Sequence, residues 1–354
     1  MQLTSQEVFI TFLAAFAMSA ALTPFFRRFA INRKIFDIPL QEHKTHSEPI
    51  PYLGGFSIIA TFSLGLFASI IFKENSTVNF NEVLILIIAP LLLALIGLID
   101  DLKNLSAKSR FLVQSVSATI LAMVFMEMSW YGQPTTIKFL NVVVSIVWIV
   151  GITNSLNLID NLDGGAGGIA VVTSGTLVIA SLASEQLALA ATFTLITGAT
   201  LGFLIWNLHP AKIYLGDAGA LFLGSLLAVL TLRFDPATSD LFSGWLFAIL
   251  VFAVPILDTS LVVISRVQRN LSPFQGGRDH ISHRLLRSGL SKRNTALIIW
   301  TLQLYFSLLG LLLFVLDNWG ARTIEFLAVS SWLLLLGYFL RLSPVSVEED
   351  NNHK

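Results

Sequence analysis

Residues 84–103 read Leu84-Ile-Leu-Ile-Ile-Ala-Pro90-Leu-Leu-Leu-Ala-Leu-Ile-Gly97-Leu-Ile-Asp100-Asp101-Leu-Lys103: an uncharged apolar run closed by two adjacent carboxylates and a lysine. A helix needs about 20 largely apolar residues to cross a bilayer, and the stretch near 82–99 has that character. Ten more stretches share it, near 8–26, 52–72, 111–128, 139–153, 167–183, 187–206, 213–232, 241–264, 295–316 and 324–342. The fifth in chain order is the shortest and runs into Asn-rich sequence. The whole chain agrees with this reading, being 55% hydrophobic and 12% charged, about half the roughly 25% charge of soluble domains. Mean hydropathy is +0.76. A soluble protein of 354 residues could not hide so much apolar surface in one core, which excludes a soluble enzyme, a disordered chain and a coiled coil. The absence of cysteine excludes disulfides, thiolate metal sites and cysteine nucleophiles. The expected fold is therefore an all-α polytopic membrane protein of about 11 transmembrane helices. It forms one domain over 1–354, with a short polar tail at 343–354.

Charge sets the expected orientation. Met1 to Glu7 carries no cation and no small-x-small cleavage site follows the first stretch, so that stretch reads as a span rather than a cleaved signal. Arg27, Arg28, Arg33 and Lys34 come after it, which places the N-terminus outside and the C-terminus in the cytoplasm. Alternating from there, eighteen of the 22 lysines and arginines fall inside, leaving Lys73, Lys138, Arg233 and Arg322 outside. All six histidines (43, 46, 209, 280, 283 and 353) and the clustered acids fall on the inner side too. The chemistry is expected at the cytoplasmic face.

Six segments there could carry it. Asp100 and Asp101 repel one another at a membrane boundary unless a divalent cation or Lys103, Lys108 and Arg110 compensate them; a solvated end of a span is the competing reading. In Asn154-Ser-Leu-Asn157-Leu-Ile-Asp160-Asn-Leu-Asp163-Gly164-Gly165, amides and acids recur every third residue, which on a helix lines them along one face. Such hard oxygen ligands suit Mg²⁺, and the glycines are expected to end that helix. A polar loop is the alternative. Gly216-Asp217-Ala-Gly219 opens a span, where Asp217 could hold a metal while the helix N-terminus attracts phosphate, or serve as an ordinary cap. The basic loop 266–293 holds Arg278, His280, His283 and Arg284; arginine forks and imidazoles suit a diphosphate, whereas a topology signal would need only the arginines. Asp258 lies inside the ninth stretch, where an acid is a functional candidate by default and Arg266 its bland partner. Lys44 and His46 in the first inner loop could touch a phosphate or stand in solvent.

Together these motifs resemble the polyprenyl-phosphate N-acetylhexosamine-1-phosphate transferase family, from Asp37 to about Leu286 and in the family's order. The Asp-Asp pair, Asn-x-x-Asn-x-x-Asp-x-x-Asp-Gly, Gly-Asp-x-Gly, the Pro255-x-x-Asp258 pair and the loop with Ser272-Pro-Phe274, His280 and His283 all have counterparts there. Three positions depart from the family pattern: Gly165 for Leu, Ala220 for Ser, and Ser282 for the middle imidazole of His-x-His-His. Pro49-Ile-Pro51-Tyr-Leu-Gly54-Gly55 and the split histidine pair resemble the bacterial GlcNAc-1-phosphate type more than the muramoyl-pentapeptide branch. The resemblance implies attack by a polyprenyl (undecaprenyl) phosphate oxygen on the β-phosphorus of a UDP-N-acetylhexosamine, releasing UMP, as the first membrane step of a cell-envelope glycan. It implies a bacterial inner-membrane enzyme that needs Mg²⁺, or Mn²⁺ in its place, and binds no nucleic acid; a homodimer is compatible with it. Taken with the residue reading above, the metal is expected at Asp217 with Asp100 and Asp101, catalysis at Asp100, Asp101, Asp160 and Asp163, and substrate contacts at Lys44, His46, Lys108, Asn154, Asn157, Asp258, Arg278, His280, His283 and Arg284. A membrane transporter using the same acids is the alternative, but its binding groups belong near the bilayer midplane, not at one face. An aspartyl protease would want Gly-x-Gly-Asp, and position 214 is Tyr.

Overall fold

The computed structural model describes residues 5–37, 49–72, 80–103, 105–128, 132, 134–236, 240–273, 277–316 and 318–342. Lys44, His46, Phe274 and the tail at 343–354 lie outside them. Apolar stretches without interior turn signals form helices, because every backbone polar group in lipid must be satisfied within its own segment. In chain order these are α1 (Ser5–Asn32), α2 (Gly55–Phe72), α3 (Phe80–Lys103), α4 (Ala107–Met128), α5 (Lys138–Leu158), α6 (Gly165–Ala183) and α7 (Leu187–Asn207). They continue with α8 (Gly216–Arg233), α9 (Leu241–Leu250), α10 (Ala253–Gln268), α11 (Ile281–Arg287), α12 (Lys292–Leu312) and α13 (Asn318–Arg341). A two-residue antiparallel pair, β1 (Phe36–Asp37) with β2 (Ile50–Pro51), is the one departure from all-helix among the described residues.

Each of the eleven apolar stretches is occupied by helix. Eight of the helices are long and apolar enough to cross a membrane, and α9 with α10, bent by 77°, makes a ninth if taken as one span. The shorter α2 and the more polar α4, which starts Ala-Lys-Ser-Arg, do not reach that standard. The protein is a polytopic helical membrane protein.

The centre of the bundle is α8, buried at every residue from Ala218 to Leu232 and packed against α2, α3 and α5. Small residues make this approach feasible: a Cβ on Gly55 would fall 2.3 Å from the Gly219 Cα, and one on Gly224 would fall 2.8 Å from the Thr153 Cα. Large apolar side chains such as Phe139, Val147, Phe326 and Leu334 point outward, as a lipid-facing surface requires.

The break between α9 and α10 frees backbone groups deep in the protein, and side chains from three other helices take them up. Gln303 Nε2 donates to the carbonyls of Leu250 (3.2 Å) and Val251 (3.0 Å), while its Oε1 accepts from the Val254 amide (3.1 Å). Thr173 donates to the Val251 carbonyl at 2.7 Å and the Trp332 indole to that of Ala253 at 3.1 Å.

Candidate active site

The site begins where α3 ends against the start of α8. Gly97, one turn before Asp101, allows this meeting: a Cβ there would stand 2.5 Å from the Ala218 amide nitrogen. The first amides of a helix have no partner within it, and Asp101 supplies one. Its Oδ1 accepts from the Asp217 amide (3.1 Å) and its Oδ2 from that of Ala218 (3.4 Å). Tyr52 fastens the same residue from behind, donating to the Asp101 carbonyl at 2.8 Å. Asp100 turns the other way, taking Arg110 Nη1 at 2.6 Å and the Leu105 amide at 2.7 Å. That guanidinium nitrogen also lies 3.7 Å from Asp217 Oδ2, and Asn157 Nδ2 donates to Asp217 Oδ1 at 2.9 Å. Asp100, Asp101, Asp217 and Asn157 thus converge, as their motifs suggested.

The Asn-rich segment is built differently from the single helical face expected of it. Helix α5 ends at Leu158, so Asp160 and Asp163 lie on the turn beyond it, and the glycines start the next helix instead of ending this one. Gly164, at φ 73°, is the residue before α6. Asn154 is a correction: its amide faces α4, donating to Gln114 Oε1 (2.5 Å) and to the Val150 carbonyl (2.7 Å). Asp163 holds the connection from α7 to α8, with His209 Nδ1 at 2.6 Å and the Ala211 amide at 3.2 Å on its Oδ2. The Asp160 side chain makes no hydrogen bond or ion pair among the described residues. Burial, and then the charges of Asp217, Asp101 and Asp163, push its carboxyl well above the usual range.

The basic loop forms a second half. Asp258, fully buried, accepts from the Ile281 amide (2.7 Å) and pairs with His280 Nδ1 (2.7 Å), so one carboxylate sets both the start of α11 and the ring of its leading histidine. Arg266 pairs with Asp279 rather than with Asp258, Nε to Oδ2 at 3.0 Å. The His283 ring lies 6.1 Å from that of His280; burial and the neighbouring His280, Arg287 and Arg278 push it down to about 4, so it is neutral near pH 7. Arg278 and the exposed Lys108 make no ion pair among the described residues. Arg284 is a second correction. It is buried and its donors go to the carbonyls of Asp279 (3.0 Å), Phe339 (2.9 Å) and Leu342 (3.0 Å) and to Ser265 Oγ (2.9 Å). It braces α11 against α13 and has no fork left for a phosphate.

Residues outside the expected set complete the site. His209 orients Asp163, Asn207 accepts from the Gly164 amide at 3.0 Å, and Ser282 donates to Asn161 Oδ1 at 2.5 Å. No local spacing marks these contacts, since each joins positions far apart in the chain. Arg110 was visible as the cation downstream of the acid pair.

Among the described residues no three histidine or acid side chains form a ready metal cage. Mg²⁺ does not need one, because it takes one or two carboxylates and completes its shell with water and phosphate oxygens. Asp100 and Asp217 share the one Arg110 guanidinium, while Asp101 sits on the Asp217 amide and Asp160 feels the charges of Asp217 and Asp101. That donor set is short of positive charge and fits a hard divalent cation.

The glycosyl transferase family 4 model matches residues 83–235, the segment from α3 to α8 that carries every acid of the first half. A probable undecaprenyl-phosphate N-acetylglucosaminyl 1-phosphate transferase of Bacillus subtilis is 31% identical over 328 residues, covering 91% of this chain and 89% of that one. A phospho-N-acetylmuramoyl-pentapeptide-transferase of Staphylococcus epidermidis is 26% identical (85% of this chain, 96% of the relative). A decaprenyl-phosphate N-acetylglucosaminephosphotransferase of Mycolicibacterium smegmatis is 28% identical (81% and 79%). With the family model matching α3 to α8 and similarity to a 31% identical relative running along nearly the whole chain, the protein belongs to glycosyl transferase family 4.

Proposed function

We propose that the protein transfers N-acetylhexosamine-1-phosphate, in the first instance GlcNAc-1-phosphate, from a UDP-sugar to undecaprenyl phosphate at the cytoplasmic face of a bacterial inner membrane. The products are polyprenyl-diphospho-hexosamine and UMP. The observation that carries this reading is the carboxylate cluster of Asp100, Asp101, Asp160 and Asp217 beside the imidazole-bearing helix α11. An acid cluster suits a metal-bound diphosphate, and imidazoles suit its anionic end. A lipid phosphate oxygen attacks the β-phosphorus, the bond to the bridging oxygen breaks, and UMP leaves with that oxygen. Catalysis of this kind is mainly positioning and charge neutralisation. Asp217 and the unbonded Asp160, with Asp100 beside them, would hold Mg²⁺ or Mn²⁺, which supplies charge neutralisation to the diphosphate when bound. Asp101 keeps the start of α8 in register, Asn157 orients Asp217, and Asp163 holds the turn that carries Asp160. His280, His283 and Arg278 face the donor, and the prenyl chain lies among apolar helix faces. The lipid phosphate has a second pKa near ~6, so little general base is needed at neutral pH.

The test is product analysis on detergent-purified protein given undecaprenyl phosphate, UDP-GlcNAc and Mg²⁺. UMP that forms only with lipid and metal present supports the reading; UDP as product, or UMP without lipid, overturns it. Asp217→Asn and Asp160→Asn are each expected to lower turnover at least about 10²-fold, and a near-normal Asp217→Asn would remove the metal assignment.

A further inference from the structure

Asn161 follows Asp160 directly, and Ser282 stands between His280 and His283. Helical Ser and Thr hydroxyls in this protein commonly bond the carbonyl four residues back, as in Thr23, Ser174, Thr194 and Thr231. Ser282 instead donates its proton to the Asn161 side chain, 121 positions away. Asn161 Nδ2 then donates to the Leu158 carbonyl at 2.9 Å, which ties the bond into the last turn of α5. The Ser282 side chain is buried at 1% exposure, where an unmade hydrogen bond is costly.

We propose that Asn161 and Ser282 form a positioning latch that fixes the acid-bearing turn against α11, and so sets the gap across which the sugar diphosphate is held. The proposal rests on the transferase reading. Two features make the latch consequential rather than one contact among many. Asp160 has no side-chain bond among the described residues, so its place depends on the turn beneath it. Helix α11 has seven residues, too few to hold itself, and depends on its anchors. Asp258 fixes its start and Arg284 its outer side; Ser282 fixes the side toward the acids. Neither residue touches the reacting atoms, so both are positioning residues.

The experiment uses the full-length protein in detergent, with UMP release measured for Ser282→Ala, Ser282→Thr, Asn161→Ala and the double alanine variant. Each single alanine variant is expected to lower kcat roughly ten- to a hundredfold with KM for either substrate little changed. The double variant should be no worse than the poorer single one, as for residues acting as one unit, and Ser282→Thr, which keeps the hydroxyl, should recover most of the rate. Losses that multiply in the double variant, an effect confined to KM, or a threonine variant as poor as alanine would overturn the latch. Hydrogen–deuterium exchange gives a readout independent of turnover. Asn161→Ala should raise exchange across 277–290, and Ser282→Ala across 157–165; unchanged exchange in both overturns the latch. If the wild-type protein releases no UMP, the transferase reading fails by itself and exchange alone decides the latch.

Discussion

A guanidinium buried to 1% exposure has to find acceptors for its donors, and Arg284 finds three carbonyls and a hydroxyl. Lysine keeps the charge but not the fork. Arg284→Lys should therefore lower the unfolding temperature by roughly 5 °C or more while leaving KM for the nucleotide sugar near wild type, as thermal scanning and kinetics would show. His283 gives a pH signature. Burial first, and then His280, Arg287 and Arg278, hold its pKa near 4 against the opposing pull of Asp258, whereas the unfolded chain protonates near ~6.5. Between those values the unfolded state binds the extra proton, so this residue's contribution makes stability fall as pH drops from about 6.5 to about 4, and level off below. Unfolding temperatures of His283→Gln measured across that window should show a shallower fall than wild type. At this scale the acids were legible because carboxylates are rare in an apolar chain. The partners of Asp163 and Asp258 were not, because His209 and His280 reach them through the fold and not through spacing.

At the scale of elements, sequence reasoning located α3, α5 and α8 well and misread the segment after α5. A three-residue spacing continues as readily across a turn as along a helix, so periodicity could not place the helix end at Leu158. Nor did apolarity reveal that 241–264 is two helices: Pro255 falls in the first turn of α10, where proline is tolerated. The break is instead defined by Gln303, a buried amide midway along α12. Gln303→Leu would leave the Val254 amide and the Leu250 carbonyl without that partner, at about 1–3 kcal/mol per buried group. The expected result is a clear loss of thermal stability. Because α10 carries Asp258, which seats His280, turnover per folded molecule should fall as well; a destabilised variant with full specific activity would disconnect the break from the site.

At the scale of the whole molecule, the absence of cysteine makes topology directly measurable. Thr136→Cys, before α5, and Ser288→Cys, after α11, both fall at exposed positions. With the N-terminus outside, a membrane-impermeant maleimide added to intact cells should label the first and not the second, and label both after lysis; the wild-type chain is its own blank. The reversed pattern would turn the protein over and move its acids to the outer face. Charge bias across the loops is the sequence feature that points to this orientation, and the labelling decides it; the burial of α8, by contrast, left no mark in the sequence. An apolar helix reads the same whether lipid or protein surrounds it.

Asp101 carries a consequence for genetics. Its two oxygens close the amide end of α8, the most enclosed helix of the bundle, so replacing it disturbs assembly as well as chemistry. Asp160 closes nothing. A screen scored only by survival would rank the two acids together, whereas the amount of folded protein recovered from the membrane would set them apart: reduced for Asp101→Ala, undiminished for Asp160→Ala.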